Sequence, residues 1–331
     1  MPENYVWRFV VVGCGRMGQA HAQLLQQDER ARVIGVFDPS ESAAIRLRDQ
    51  CGPDVAVFSS FEETLASDSD AVVIATPTGC HHDQIAGALS AGRHVLAEKP
   101  LAQGRQEIVN LIRMSESDPQ RHCVLGYQRR FWKNHRFLKE EVAGGNWGNV
   151  RSVTFVNNEH WEAGIGQTWR DDPAMNFGGF LGDAGSHKID ALMYITGRHP
   201  DRLFAMTQNS ASHVEIIATV TGTLHGGIPL TLAFTGNAHS YYEELLIHCD
   251  DADLILRDDR VFIARRNVVS PVELPTDQSG PLSTANPVSG LLDILSGVAS
   301  NPAPFSCALS VFDVTAAILQ SAGEGQPVSL T

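Results

Sequence analysis

The stretch Arg8-Phe-Val-Val-Val-Gly-Cys-Gly-Arg-Met-Gly18 constrains this chain more than any other. A short β-branched run breaks into three glycines spaced G-x-G-x-x-G, and Gln19 to Gln27 then reads as helix. Strand, glycine turn and helix in direct succession is the context that makes this spacing informative. Gly13 allows the tight turn, Gly15 lets a pyrophosphate approach the main chain, and Gly18 lets the helix pack closely on the strand. The helix N-terminus, with its open N–H groups and its dipole, then favours an anion. A dinucleotide is therefore expected at Gly13, Gly15, Arg16, Met17 and Gly18.

A second strand, Arg32-Val-Ile-Gly-Val-Phe37, ends in Asp38, twenty residues after Gly18. A carboxylate there accepts hydrogen bonds from the adenosine ribose hydroxyls and repels a 2′-phosphate, which favours NAD over NADP. The other reading makes Asp38-Pro39-Ser40 a turn that caps the next helix, and Ser40 with Arg46 leaves NADP open. The alternation continues with a helix at Ser40–Gln50, a strand at Val55–Phe58, a helix at Phe61–Ala66, a strand at Ala71–Ala75, a helix at His82–Ala91 and a strand at His94–Ala97. Repeated strand–helix–strand units predict a doubly wound parallel sheet, whose ligands sit at the carboxyl ends of its strands. Thr76-Pro77 and Glu98-Lys99-Pro100 fall at two such ends.

At 331 residues the chain exceeds the usual size of one core, so two domains are expected. The net charge of −13 is spread without an acidic tail and argues against nucleic acid or an anionic membrane as partner. Six cysteines, Cys14, Cys51, Cys80, Cys123, Cys249 and Cys307, form no CxxC pair and read as reduced thiols of a cytoplasmic protein. No apolar run is long enough for a membrane helix. Among the 13 histidines only His81 and His82 are adjacent, so no metal site is expected.

A second cluster of chemistry lies in Gly178-Gly-Phe-Leu-Gly-Asp-Ala-Gly-Ser-His-Lys-Ile-Asp190. If this stretch is one helix, Asp183 and His187 stand at i and i+4 on one face, where one small substrate meets both. The alternative is that Asp183 caps a helix and His187 is an ordinary packed or surface residue.

These residues, in this order, resemble the glucose-fructose oxidoreductase and myo-inositol dehydrogenase family (Gfo/Idh/MocA). Gly13–Gly18 is similar to its dinucleotide loop. Ala75-Thr-Pro-Thr followed by His81 is similar to its Thr-Pro-Asn…His stretch, with Thr78 in place of the usual asparagine. Gly92-Arg-His-Val-Leu-Ala-Glu-Lys-Pro100 is similar to its Glu-Lys-Pro signature, and Gly126-Tyr-Gln-Arg-Arg-Phe131 to the opening of its second domain. Asp183-Ala-Gly-Ser-His187 resembles its Asp-x-Gly-x-His signature, and Ala316 to Val328 its C-terminus.

The resemblance implies an α/β fold: an N-terminal Rossmann doubly wound parallel sheet over residues 1–124, then a substrate-binding and oligomerisation domain over 125–331, built on a large, open, mainly antiparallel sheet. Val150–Asn157, Leu203–Gln208, Val214–His225, Pro229–Asn237, Glu243–Cys249, Leu254–Arg257 and Val261–Arg265 read as the strands of that sheet, and Ser270 to Gly290 as a long ordered loop. The resemblance further implies NAD (or NADP) held also by Thr76, Pro77, His81, Glu98 and Lys99, and a catalytic set of Lys99, Asp183 and His187. Its reaction is reversible oxidation of a secondary alcohol of a sugar, cyclitol or other polyol. Substrate shape falls to Gln128, Arg129, Arg130, Trp161, Trp169 and Arg170. If Arg170 binds a carboxylate, a uronate or nucleotide sugar follows; the tryptophans could equally be core residues and the arginines partners of acids. An NAD-dependent glycosidase or isomerase that oxidises a sugar transiently, and a non-enzymatic sugar or NAD sensor, are the competing functions. A homodimer or homotetramer is implied.

Overall fold

A computed structural model describes residues 5–274 and 286–330. The chain divides into two units, one holding residues 5–131 and 286–309 and the other 132–274 and 310–330. In the first, strands β1 (Trp7–Val12), β2 (Ala31–Phe37), β3 (Ala56–Val57), β4 (Ala71–Ile74), β5 (His94–Ala97) and β6 (Cys123–Leu125) alternate with helices α1 (Arg16–Gln26), α2 (Glu41–Cys51), α3 (Phe61–Ala66), α4 (His81–Ser90) and α5 (Arg105–Glu116). All neighbouring strands run parallel, in the order β3-β2-β1-β4-β5-β6. The order reverses between β1 and β4, the switch point at which doubly wound sheets bind ligands at the carboxyl ends of their strands.

The two central strands are apolar on both faces because helices cover both. Val10 to Val12 and Ala71 to Ile74 have no exposed surface. At about 1.5–3 kcal/mol for each fully buried aliphatic side chain, these strands anchor the loops that leave them. Ser60 caps α3 by accepting the Glu63 N–H at 3.2 Å, and Glu63 returns to the Ser59 N–H at 2.7 Å. No disulfide is present among the described residues, and burial pushes the Cys14 and Cys123 thiols up to about 12.

One histidine pair makes this unit sensitive to acid. His94 opens β5 with its ring stacked on His122, centroids 5.4 Å apart, and its Nδ1 accepts the His122 main-chain N–H at 3.0 Å. A nitrogen that accepts carries no proton, so the fold holds this ring neutral. Burial, reinforced by the His122 ring, pulls its pKa from 6.5 down to about 4, with Asp70 and Asp118 opposing and Arg121 assisting. Above pH 6.5 the ring is neutral whether the chain is folded or not; between 6.5 and about 4 the unfolded chain takes up a proton that the folded chain refuses, so stability falls as pH falls. Burial also lowers His81 and His122, which act in the same direction. Urea midpoints measured across that window are expected to drop, and His94→Asn, which keeps an acceptor but does not titrate, to flatten part of the slope. An unchanged slope in the variant would remove His94 from the linkage.

In the second unit, α6 (Lys133–Ala143) precedes β7 (Val150–His160), followed by the short α7 (Gly179–Gly182), α8 (Ser186–Thr196), β8 (Pro200–Gln208), β9 (Ile217–Leu224), β10 (Ile228–Thr235), β11 (Asn237–Cys249), β12 (Asp253–Arg257), β13 (Arg260–Arg265) and β14 (Val268–Pro271). The chain then returns to the first unit with α9 (Pro287–Leu295), and α10 (Cys307–Glu324) and β15 (Val328–Ser329) close the order. The strands form one nine-stranded sheet, β14-β13-β12-β11-β7-β10-β9-β8-β15, antiparallel except where β10 meets β7. Strand β10 alternates Leu230, Leu232 and Phe234 on the buried face with Pro229 and Thr231 exposed, the period-two pattern of a sheet covered on one side.

Both ends of the expected loop from Ser270 to Gly290 belong to regular elements instead. The stretch begins as the end of β14 and finishes as the first turn of α9, and residues 275–285 lie outside the described residues. Asn286 caps α9 by accepting the Ser289 N–H at 2.9 Å, with Pro287 at the first helical position. Val288, Leu291, Leu292 and Leu295 bury themselves in the core around β1, so the units are not two consecutive stretches divided near residue 124.

Candidate active site

The glycine loop is shaped for a dinucleotide. Gly13 has φ +92, and a Cβ there would meet the main chain of Ala75 at 2.6 Å. At Gly18 a Cβ would lie 1.8 Å from the Gly13 carbonyl, so α1 and the loop touch through bare main chain. Around Gly15 the reverse holds: an added Cβ meets nothing within 4 Å. No side chain caps α1, whose first N–H groups stay available to an anion. These features fit the pyrophosphate of NAD. Asp38 stands at the end of β2, where its Oδ2 accepts the Cys14 N–H and its Oδ1 the Ser40 N–H, both at 2.8 Å. Its carboxylate thus braces the loop and forms the turn, with lone pairs left for ribose hydroxyls.

Behind Lys99 the expected cofactor contacts at Glu98 and His81 are taken up inside the protein. Glu98 Oε1 pairs with His21 Nε2 at 2.7 Å, and its Oε2 accepts the Lys99 N–H at 3.3 Å. Burial pushes the Glu98 carboxyl up, but the His21 hydrogen bond and the charges of His21 and Lys99 outweigh it and hold the pKa below its ordinary value. An ionised Glu98 only accepts, so His21 Nε2 carries the proton. The buried His81 ring presents Nδ1 to the Pro100 carbonyl at 2.7 Å and Nε2 to the Thr76 carbonyl at 2.8 Å, tying two strand-end loops together. The Thr76 hydroxyl donates to Gln84 Oε1 at 2.6 Å, leaving Pro77 to follow in the loop. His21 escaped the sequence reading, although it shares the buried stripe of α1 with Gly18, Ala22 and Leu25. A histidine in an apolar stripe needs a buried partner, and that was the signal.

Asp183 and His187 do not share a helix. Asp183 ends α7 with φ −87 and ψ −84, while His187 is the second residue of α8. The interruption falls at Asp183, whose ψ leaves the helical region, and at Gly185, where a Cβ would sit 2.7 Å from the Leu181 carbonyl; at the other end of α7, Gly179 has φ +52 and a Cβ there would sit 2.4 Å from the Glu215 carbonyl. Nor does Asp183 cap α8, which starts without a side-chain cap. Its buried carboxylate accepts the Arg170 Nε–H at 2.7 Å. Every residue of α8 is buried except His187, which is half-buried with Nδ1 enclosed by protein. Next to it, the buried Lys188 ammonium donates to Glu159 and lies 3.9 Å from Glu243, an ion cluster absent from the sequence reading because its members are far apart in the chain.

Of the expected substrate readers, Trp169 and Arg170 stand together, the guanidinium 4.3 Å over the indole ring. Trp161 instead packs beside Phe180 and the small core of Ile165, Val214 and Ile216. Arg129 is buried, Gln128 begins the same 3₁₀ turn, and Arg130 donates to the Pro302 carbonyl at 2.9 Å. Among the described residues, no group of three or more His, Cys, Asp or Glu side chains is placed to hold a metal, and no helix is long and apolar enough to cross a membrane.

Residues 7–127 match the family described as oxidoreductase family, NAD-binding Rossmann fold (Gfo/Idh/MocA), and residues 135–255 match the Gfo/Idh/MocA C-terminal domain. The chain belongs to the Gfo/Idh/MocA family. Residues 7–127 thus form the NAD-binding Rossmann domain of a family described as oxidoreductases. Inositol 2-dehydrogenase of Rhizobium meliloti (strain 1021) is 28% identical over 193 residues, 58% of this chain and 56% of that protein. The chain thus spans little more than half the length of this curated relative. An oxidoreductase domain protein from Kribbella flavida superposes with TM-score 0.89 at 20% identity, over 99% of this chain and 100% of its own. Scyllo-inositol dehydrogenase from Lactobacillus casei, solved with NAD(H) and scyllo-inositol, gives TM-score 0.81 at 22% identity, over 98% and 99% of the two chains. At such identities these structures share the fold of the Gfo/Idh/MocA chain.

Proposed function

We propose that this protein is an NAD-dependent dehydrogenase that reversibly oxidises a secondary alcohol of a sugar, cyclitol or related polyol. The observation that carries this reading is α8, which buries every side chain except His187 and follows a buried Asp183 held by Arg170. His187 is thus the one side chain of α8 that is not buried. The inositol dehydrogenases among its relatives support the substrate class.

Bound NAD supplies the hydride acceptor. His187 takes the hydroxyl proton; histidine suits this near neutral pH because its ordinary pKa is about 6.5. Lys99 donates to the same oxygen and steadies its developing negative charge. Asp183 orients the alcohol and supports the protonated His187. Gly13, Gly15, Arg16, Met17, Gly18, Asp38, Thr76 and Pro77 hold the cofactor, while His81 and Glu98 hold the loops that do so. The open sheet forms a homodimer or homotetramer, a reading supported by the exposed Met206, Val268 and Val269 on its strands.

NADH formation over a panel of polyols, sugars and sugar acids tests the activity: growth of NADH on one class supports it, and none on any class speaks against it. Asp38→Ala tests the cofactor preference. Losing a charged acceptor for ribose is expected to weaken NAD about tenfold and NADP less. Equal losses would confine Asp38 to bracing the Cys14 and Ser40 amides.

A further inference from the structure

We propose that Arg170 is a specificity-determining residue that binds an oxyanion of the substrate, a carboxylate or a phosphate, close to the alcohol being oxidised. This rests on the dehydrogenase reading and names its substrate class. Arg170 is held on every side except one. Its N–H is accepted by Thr168 Oγ1 at 3.2 Å, and its carbonyl accepts the Nδ2–H of the buried Asn176 at 2.7 Å. The side-chain Nε donates to the buried Asp183, and the guanidinium plane lies on Trp169.

Arginine has five N–H donors, and this anchoring uses one. Nη1 and Nη2 make no hydrogen bond to any described residue, and a third of the side chain is exposed. Holding Asp183 alone would need only one donor, which a lysine supplies. The stacked, anchored guanidinium presents instead a flat pair of Nη groups whose spacing matches two oxygens of a carboxylate or phosphate. Because its rotamer is already set, binding loses little further side-chain freedom. Asp183 bears the opposite charge on the Nε side, so an anion has one edge of the fork to approach.

The test uses matched probes: glucose, glucuronate and glucose 6-phosphate, titrated calorimetrically into the wild-type protein, Arg170→Met and Arg170→Lys in the presence of NADH. Wild type is expected to bind at least one anion about tenfold or more tighter than glucose. That ratio should collapse in Arg170→Met and recover only partly in Arg170→Lys, which keeps charge but loses the fork. Preference for glucuronate would identify a carboxylate, and preference for glucose 6-phosphate a phosphate. A ratio unchanged in Arg170→Met would overturn the proposal and leave Arg170 as a positioning residue for Asp183, as would wild-type binding of neither anion better than glucose. Calorimetry needs no turnover, so a failed anion preference is distinct from a failed dehydrogenase assignment, which the NADH panel reads.

Discussion

Lys99→Ala is expected to lower kcat by about 10²–10³, equivalent to about 2.7–4 kcal/mol, the effect of removing one preorganised donor from a developing oxyanion. NAD affinity should change little, since the glycine loop and Asp38 are untouched. Lys99 follows β5, a strand whose last three residues are buried, and its main-chain N–H is held by Glu98, which His21 in turn keeps in place. The ammonium is thus carried by a rigid strand end rather than by a loose loop. Steady-state kinetics on the substrate found in the NADH panel, with NAD binding followed by calorimetry, checks both halves. Near wild-type turnover would remove Lys99 from the reaction, and loss of NAD binding with kcat kept would make it a cofactor residue.

Two neighbouring glycines should fail in opposite ways. In Gly18→Ala the new Cβ would sit 1.8 Å from the Gly13 carbonyl, a main-chain atom that moves only if β1 or α1 moves. The expected cost is about 3 kcal/mol or more, the upper range for overpacking, and the dinucleotide loop is lost with it. In Gly15→Ala the Cβ meets nothing within 4 Å, and the φ of −72 suits any residue. Stability should therefore stay within about 0.5 kcal/mol while NAD binding weakens at least tenfold, because the methyl occupies the approach of the pyrophosphate. Urea denaturation of the cofactor-free proteins, paired with NAD titration, separates the two. Equal stability losses would mean that Gly15 is structural, and full NAD binding by Gly15→Ala would move the cofactor away from α1.

What could be read in the sequence was what repeats locally. The parallel sheet was legible because each strand, turn and helix of residues 7–97 carries its own period and punctuation, and Phe61–Ala66 and His94–Ala97 have the bounds expected. Longer-range facts were not legible. Helix α9 hides behind prolines, serines and glycines, although Asn286-Pro287 is a helix start and Leu291-Leu292 a core contact. The break between Asp183 and His187 lies in the turn at Asp183 and in the close approach of Gly185 to Leu181, and the Arg170–Asp183 and His21–Glu98 pairs join residues whose proximity no period predicts. Spacing marked candidate side chains; tertiary contacts add which of them, such as Glu98 and Asp183, hold partners inside the protein.

Net hydride transfer is tested most directly with a substrate deuterated at the reacting carbon, following the label by mass spectrometry. Deuterium on the nicotinamide, with a ketone formed in equal amount, is the result expected of a dehydrogenase in which His187 takes the proton. Deuterium returned to the sugar, with no NADH accumulating, would contradict it and assign the chain to enzymes that oxidise their substrate only in passing.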